Sequence, residues 1–129
     1  MIEVVILDET HADSMGIYRL NVGCKYYIGA TKNLLLRSIG HEKRINSWFV
    51  DMKYGKNSVT KICDYLLSNQ WVTNLYIDLL EEVEYEECLV DAEQKWFDAC
   101  FGDPDCLNFK MISYRKVDGI AIRPLIFAS

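Results

Sequence analysis

Gly16-Ile17-Tyr18-Arg19-Leu20-Asn21-Val22-Gly23-Cys24-Lys25-Tyr26-Tyr27-Ile28-Gly29 is the stretch on which the fold turns. Two runs rich in strand formers flank the turn signal Asn21-Val22-Gly23, which reads as a β-hairpin. With the turn centred on Val22-Gly23, opposed residue numbers sum to 45, so Tyr18 lies across from Tyr27. Two tyrosines opposed on one sheet face would stand ~5 Å apart at Cβ. A cross-strand pair of this kind is either core packing or two phenols offered to a site. Tyr26 points to the other face.

Working outward, Thr31 or Asn33 can cap a helix that opens at Leu34 and runs to about Arg44. Ser47 to Tyr54 and Val59 to Leu67 read as two further helical pieces separated by Gly55. Trp71 to Leu80 reads as a third strand. From Tyr85 to Phe101 the apolar residues Leu89, Trp96, Phe97 and Cys100 fall at helical spacing. Lys110 to Lys116 and Ile120 to Phe127 flank Val117-Asp118-Gly119, a second hairpin whose Asp-Gly pair suits a tight turn. The expected class is α+β, a small antiparallel sheet flanked by helices. No linker, repeat or low-complexity tract interrupts the chain, so residues 1–129 are expected to form one domain.

Half of the 129 residues are hydrophobic, enough for one compact core. No apolar stretch approaches the ~20 residues that span a bilayer, and no signal-like leader is present. An intracellular, non-secreted protein is expected. The cysteines Cys24, Cys63, Cys88, Cys100 and Cys106 are odd in number and form no CxxC pair, so they read as reduced thiols. The net charge of -5 argues against a nucleic-acid binder until its distribution is considered. Between Gly16 and Lys61 the basic residues are Arg19, Lys25, Lys32, Arg37, Lys43, Arg44, Lys53, Lys56 and Lys61, against only Glu42 and Asp51. Ile62 to Asp105 is the reverse, with Lys95 its only cation. Such a dipolar chain either presents a positive face to an anionic partner or spreads its charges over ordinary solvated surfaces.

Arg37 and His41 stand at i and i+4 of their helix, so both can address one anion. Arginine offers a rigid fork to a phosphate, and histidine can donate a hydrogen bond or shuttle a proton. Glu93 follows Leu89 by four residues and precedes Trp96 by three, which puts a carboxylate on an apolar stripe. A charge there needs a cation such as Arg37, a metal or a hydrogen-bond partner. Asn108, just past the helix, would ordinarily be a turn residue.

Together these residues resemble the GIY-YIG nuclease family. Gly16-Ile17-Tyr18 and Tyr27-Ile28-Gly29 are similar to its two tripeptides. Ala30-Thr31-Lys32-Asn33-Leu34, then Arg37 and His41, resembles the pattern YIG-x-T-x-N-L-x-x-R-x-x-x-H. Glu93, with Asn108 fifteen residues later, resembles the family's catalytic glutamate and closing asparagine. The similarity spans about Gly16 to Asn108, leaving the first fifteen residues and the hairpin at about 110–127 without a counterpart.

The resemblance implies phosphodiester hydrolysis with one divalent ion, Mg²⁺ or Mn²⁺, held by Glu93. It makes Tyr18 the acceptor of the proton of the attacking water, and Arg37 the group that stabilises the pentacovalent phosphate. Tyr27 and His41 would position water and phosphate, and Asn108 would brace the site. A free phenol has a pKa of about 10, so Tyr18 needs cations nearby to act as a base. Lys25, His41 and the metal are the candidates. The substrate implied is DNA, engaged through phosphates by Lys25, Lys32, Lys43, Arg44 and Lys53, contacts that carry no sequence information. A homodimer or a specificity partner would supply selectivity. A small phage-type or mobile-element endonuclease fits this length. The competing class is an inactive DNA-binding or interaction module that keeps the fold.

Overall fold

The computed structural model describes residues 1–51 and 55–124. The chain is α+β. Strands β1 (Glu3–Ile6), β2 (Gly16–Val22), β3 (Lys25–Thr31) and β4 (Asn74–Glu82) form a sheet of order β1-β4-β2-β3. Helices α1 (Leu34–Asp51) and α2 (Ser58–Ser68) join β3 to β4, and α3 (Leu89–Cys100) follows. Strands β5 (Arg115–Val117) and β6 (Ile120–Ile122) make a separate hairpin. The sheet is mixed, not wholly antiparallel. The first fifteen residues supply β1, which pairs parallel to β4 from Glu3↔Asn74 to Ile6↔Ile77.

The central hairpin forms as expected, but its register differs. Val22 pairs with Lys25, Leu20 with Tyr27 and Tyr18 with Gly29, so opposed numbers sum to 47. The turn is Gly23-Cys24, and Gly23 takes φ +61 at its first position, as a II′-type turn requires. A shift of two residues preserves the faces. Tyr18 and Tyr27 still share one, with ring centroids 6.2 Å apart, while Tyr26 lies on the other.

The two helices expected between Leu34 and Tyr54 are one through Asp51, and Met52, Lys53 and Tyr54 lie outside the described residues. Leu34, Ser38, His41, Ile45 and Trp48 form the buried stripe of α1, at alternating spacings of four and three. Asn33 caps its start, its Oδ1 accepting from Leu36 N–H at 2.9 Å. Asn57 caps α2 in the same way through Thr60 N–H. The third strand begins later than expected, at Asn74, and carries a bulge: Ile17 faces Glu81 while Tyr18 faces Leu79. The second hairpin is shorter than its sequence suggests, turning on Asp118 and Gly119 at φ 51 and 79. Residues 125–129 of its expected return strand lie outside the described residues.

Helices cover the sheet on both faces. Tyr18, Leu20, Val22, Leu75 and Ile77 pack against Leu34, Ile45, Ile62 and Leu66 of α1 and α2. Ile17, Tyr26, Ile28 and Ala30 pack against Leu89 and Phe97 of α3. This period-two division of β2 and β3 is what lets α1 and α3 both reach the end of β3. Among the described residues, no helix is long and apolar enough to cross a membrane.

Candidate active site

β3 is an edge strand, and its outer backbone groups must find partners elsewhere. Tyr26 N–H donates to Asp105 O at 2.9 Å, and Tyr26 O accepts from Leu107 N–H at 2.7 Å. One pleat along, the Asn108 side chain takes over from backbone. Its Oδ1 accepts from Ile28 N–H at 2.8 Å and its Nδ2 donates to Ile28 O at 2.7 Å. Asn108 therefore completes the edge as one more strand residue would. At the next pleat the Ala30 amide acts on the carboxylate of Glu93, where burial raises the pKa and this contact is among those that partly offset the rise.

Beyond that edge lies a pocket of about 390 Å³ whose lining includes Tyr18, Tyr27, Arg37 and Glu93. Tyr18 is fully buried. Its ring lies over Gly29, where a Cβ would fall less than 3.0 Å from Oη, Cζ and Cε1. Tyr18 Oη lies 2.6 Å from His41 Nε2, and the Tyr27 ring stands edge-on to His41 with centroids 5.5 Å apart. The site residues Tyr18, Tyr27, Arg37, His41 and Glu93 thus converge, His41 through Tyr18. Asn108 is one residue away in function: it fixes β3 but does not line the pocket.

Burial and the neighbouring Tyr27 raise the pKa of Tyr18 well above its ordinary value, against the opposing pull of Arg37 and Arg44. Burial first, then Arg44 and Arg37, lowers that of His41 to about 3. Both rings are neutral at pH 7, and in the Nδ1–H tautomer of His41 the phenol donates to Nε2. This corrects the expectation that His41 or Lys25 is a cation beside Tyr18. Lys25 sits at the far end of β3, bonded to Pro104 O at 3.1 Å and beside Asp105. The cations that act on Tyr18 are Arg37 and Arg44.

Glu93 is held by burial above the usual carboxylate range, opposed by a hydrogen bond from Ser113 and then by Arg115 and Arg37. Ser113 Oγ donates to Glu93 Oε1 at 2.6 Å. No ion pair joins Glu93 to Arg37, and of the three partners expected for this carboxylate the hydrogen bond is present, from Ser113. Among the described residues, no three His, Cys, Asp or Glu side chains gather into a cage. Glu86, also at the pocket, is paired to Lys32 at 2.7 Å. A single carboxylate suits Mg²⁺, which keeps several waters and takes one or two carboxylates plus phosphate oxygens.

Of the cations expected to meet phosphate, Lys32 and Arg44 border this region, in an adjoining pocket of about 330 Å³ that Arg37 also lines. Lys43 is exposed on α1 and lines neither pocket. Lys53 lies outside the described residues. The basic segment does not fold into one positive face: Arg19 stacks over the Tyr26 ring at 4.1 Å, on the α3 side of the sheet. Sequence reasoning missed Ser113, Arg115 and Lys116, which the second hairpin and its lead-in bring to the pocket. The Asp-Gly turn signalled the hairpin, but nothing local says where it docks. No family model matches the chain, and comparison with characterised proteins and with solved structures finds no match.

Proposed function

We propose that this chain is a divalent-metal-dependent endonuclease that hydrolyses DNA phosphodiester bonds, of the GIY-YIG kind its motifs resemble. The observation that carries the reading is Glu93, a partly buried carboxylate that makes no ion pair among the described residues, in one pocket with Arg37 and the hydrogen-bonded Tyr18–His41 pair. Glu93 would hold Mg²⁺ or Mn²⁺, which would supply Lewis-acid activation at the phosphate and water. Ser113 fixes the orientation of Glu93. Arg37 offers its fork to the phosphate and offsets the charge gained as the fifth oxygen bonds to phosphorus. Tyr18 takes the water's proton on Oη while passing its own to His41 Nε2, so no free phenolate has to form in the core. Burial first, then the field of Arg44 and Arg37, disfavours a proton on His41, and a bound phosphate would neutralise that field and make the imidazole a better acceptor once substrate arrives. The five cysteines, all free, suit a reducing compartment.

Metal binding can be read without cleavage. With Mg²⁺ about tenfold above its Kd, the native state gains about 1.4 kcal/mol. That is a Tm rise of roughly 3–6 °C, which Glu93→Gln should abolish. An equal rise in wild type and variant would place the ion elsewhere.

A further inference from the structure

The chain has a second cationic pocket, built jointly by α1 and the C-terminal hairpin. Three contacts fasten the hairpin's lead-in to α3. Ser113 Oγ donates to Glu93, Ser113 N–H to Gln94 Oε1 at 2.9 Å, and Gln94 Nε2 to Met111 O at 3.0 Å. Ser113 is 1% exposed, so this anchor is part of the packed structure and not a surface contact. Two residues on, Arg115 is delivered to both the catalytic pocket and the adjoining one.

The adjoining pocket is lined by Lys32, Arg37, Arg44 and Arg115 and by no carboxylate. Lys32 is neutralised by Glu86. Arg37, Arg44 and Arg115 have no ion pair with a carboxylate among the described residues. Arg44 gives only its Nε to a long bond with Gly40 O, at 3.4 Å, which leaves its terminal nitrogens available. Three guanidiniums around one concavity repel each other until an anion enters, and their planar forks match phosphate oxygens. Lys32, Arg37 and Arg115 are common to both pockets, so an anion in one is next to an anion in the other.

We propose that this pocket binds a second phosphate, next along the strand from the one being cleaved, so that the substrate is a polynucleotide held through two successive phosphates and the C-terminal hairpin belongs to the binding site. The inference rests on the nuclease reading above for the identity of the first phosphate.

The test is fluorescence anisotropy of a labelled single-stranded oligonucleotide, in EDTA so that nothing is cleaved. Arg44→Ala and Arg115→Ala should each weaken binding about tenfold, as loss of a good phosphate contact does, and lower the salt slope by about 0.7. Because both side chains hold one phosphate, the double variant should lose less than the product of the two single losses. Lys110→Ala removes an exposed cation that lines neither pocket, and should bind within about twofold of wild type. Losses at Arg44 and Arg115 no greater than at Lys110, or fully additive losses, would overturn the proposal. A chain that binds in the expected manner yet never cleaves DNA would support the second phosphate pocket and refute hydrolysis, whereas one that cleaves with binding indifferent to Arg44 and Arg115 would do the reverse.

Discussion

Gly29 has no side chain because the Tyr18 ring occupies the space where one would go. That close approach holds the phenol against His41, and it gives Tyr18→Phe two separable effects. The ring stays, but His41 Nε2 loses its hydrogen-bond partner inside the core, a cost of about 1–3 kcal/mol. Tyr26→Phe is the matched control, since Tyr26 Oη donates to Asp103 at 2.6 Å on the other face. Both variants should melt below wild type, while only Tyr18→Phe should lose about 10²- to 10⁴-fold in single-turnover cleavage. Equal rates in the two would reduce Tyr18 to a packing residue. His41 adds a pH signature. Its pKa falls from 6.5 to about 3 on folding, so between those values the unfolded chain binds the extra proton. The stability conferred by burying neutral His41 is therefore complete above pH 6.5 and is lost as pH falls towards 3. His41→Gln, a neutral acceptor for Tyr18, should flatten the fall of Tm between pH 7 and 5 seen in wild type. Parallel melting curves for the two proteins would contradict this.

Both edges of the sheet are closed by the same device, at the level of whole elements. On β1, Asn46 of α1 accepts from Ile2 N–H at 3.0 Å and donates to Ile2 O at 2.9 Å, and Glu42 accepts from Val4 N–H at 2.9 Å. On β3, Asn108 clamps Ile28 and Glu93 stands by Ala30. An amide side chain can satisfy both groups of one strand residue, and an aspartate cannot, because it lacks the donor. Asn108→Asp should thus lower Tm by an amount on the order of 1–3 kcal/mol and lower cleavage with it, since β3 positions Tyr27 and Ala30. Full activity at an unchanged Tm would deny Asn108 its bracing role. Which elements exist was largely legible in the sequence, and how they join was not. The hairpin announced itself through Tyr, Ile and Gly, but Gly23 could occupy either central turn position, which left the register two residues open. The helix expected to stop at about Arg44 runs unbroken to Asp51, because Ile45 and Trp48 continue the buried stripe of Leu34, Ser38 and His41 across the supposed gap. The residues that β2, β3, α1 and α3 bring together at the pocket were picked out as a set because their spacings resemble a known pattern. Ser113 and Arg115 were not, because their placement depends on Gln94 and Glu93 reaching across from α3.

Across the molecule, charge segregates by place and not by stretch of sequence. Lys25, Lys32 and Lys61 are each engaged, by Asp105, Glu86 and Asn108 O, and Arg19 stacks on Tyr26. Among the described residues, the cations that line the two pockets without a carboxylate partner are Arg37 and Arg44 from α1 with Arg115 and Lys116 from the far end of the chain. Four contacts to single-stranded nucleic acid give a salt slope of about -3, against about -6 for the nine basic residues of Gly16 to Lys61 acting as one face. A protein with net charge -5 can therefore present a local cationic cluster to an anionic strand, and on the proposed reading Glu93, set among those cations, would hold the metal. The most direct measurement is cleavage of supercoiled plasmid by wild type and Glu93→Ala, each with Mg²⁺ and with EDTA, alongside DNA binding by the same two proteins. Metal-dependent cleavage by wild type only, with binding nearly equal in both, is the result this account predicts. Cleavage by Glu93→Ala at near the wild-type rate, or no cleavage by wild type despite tight binding, would contradict it.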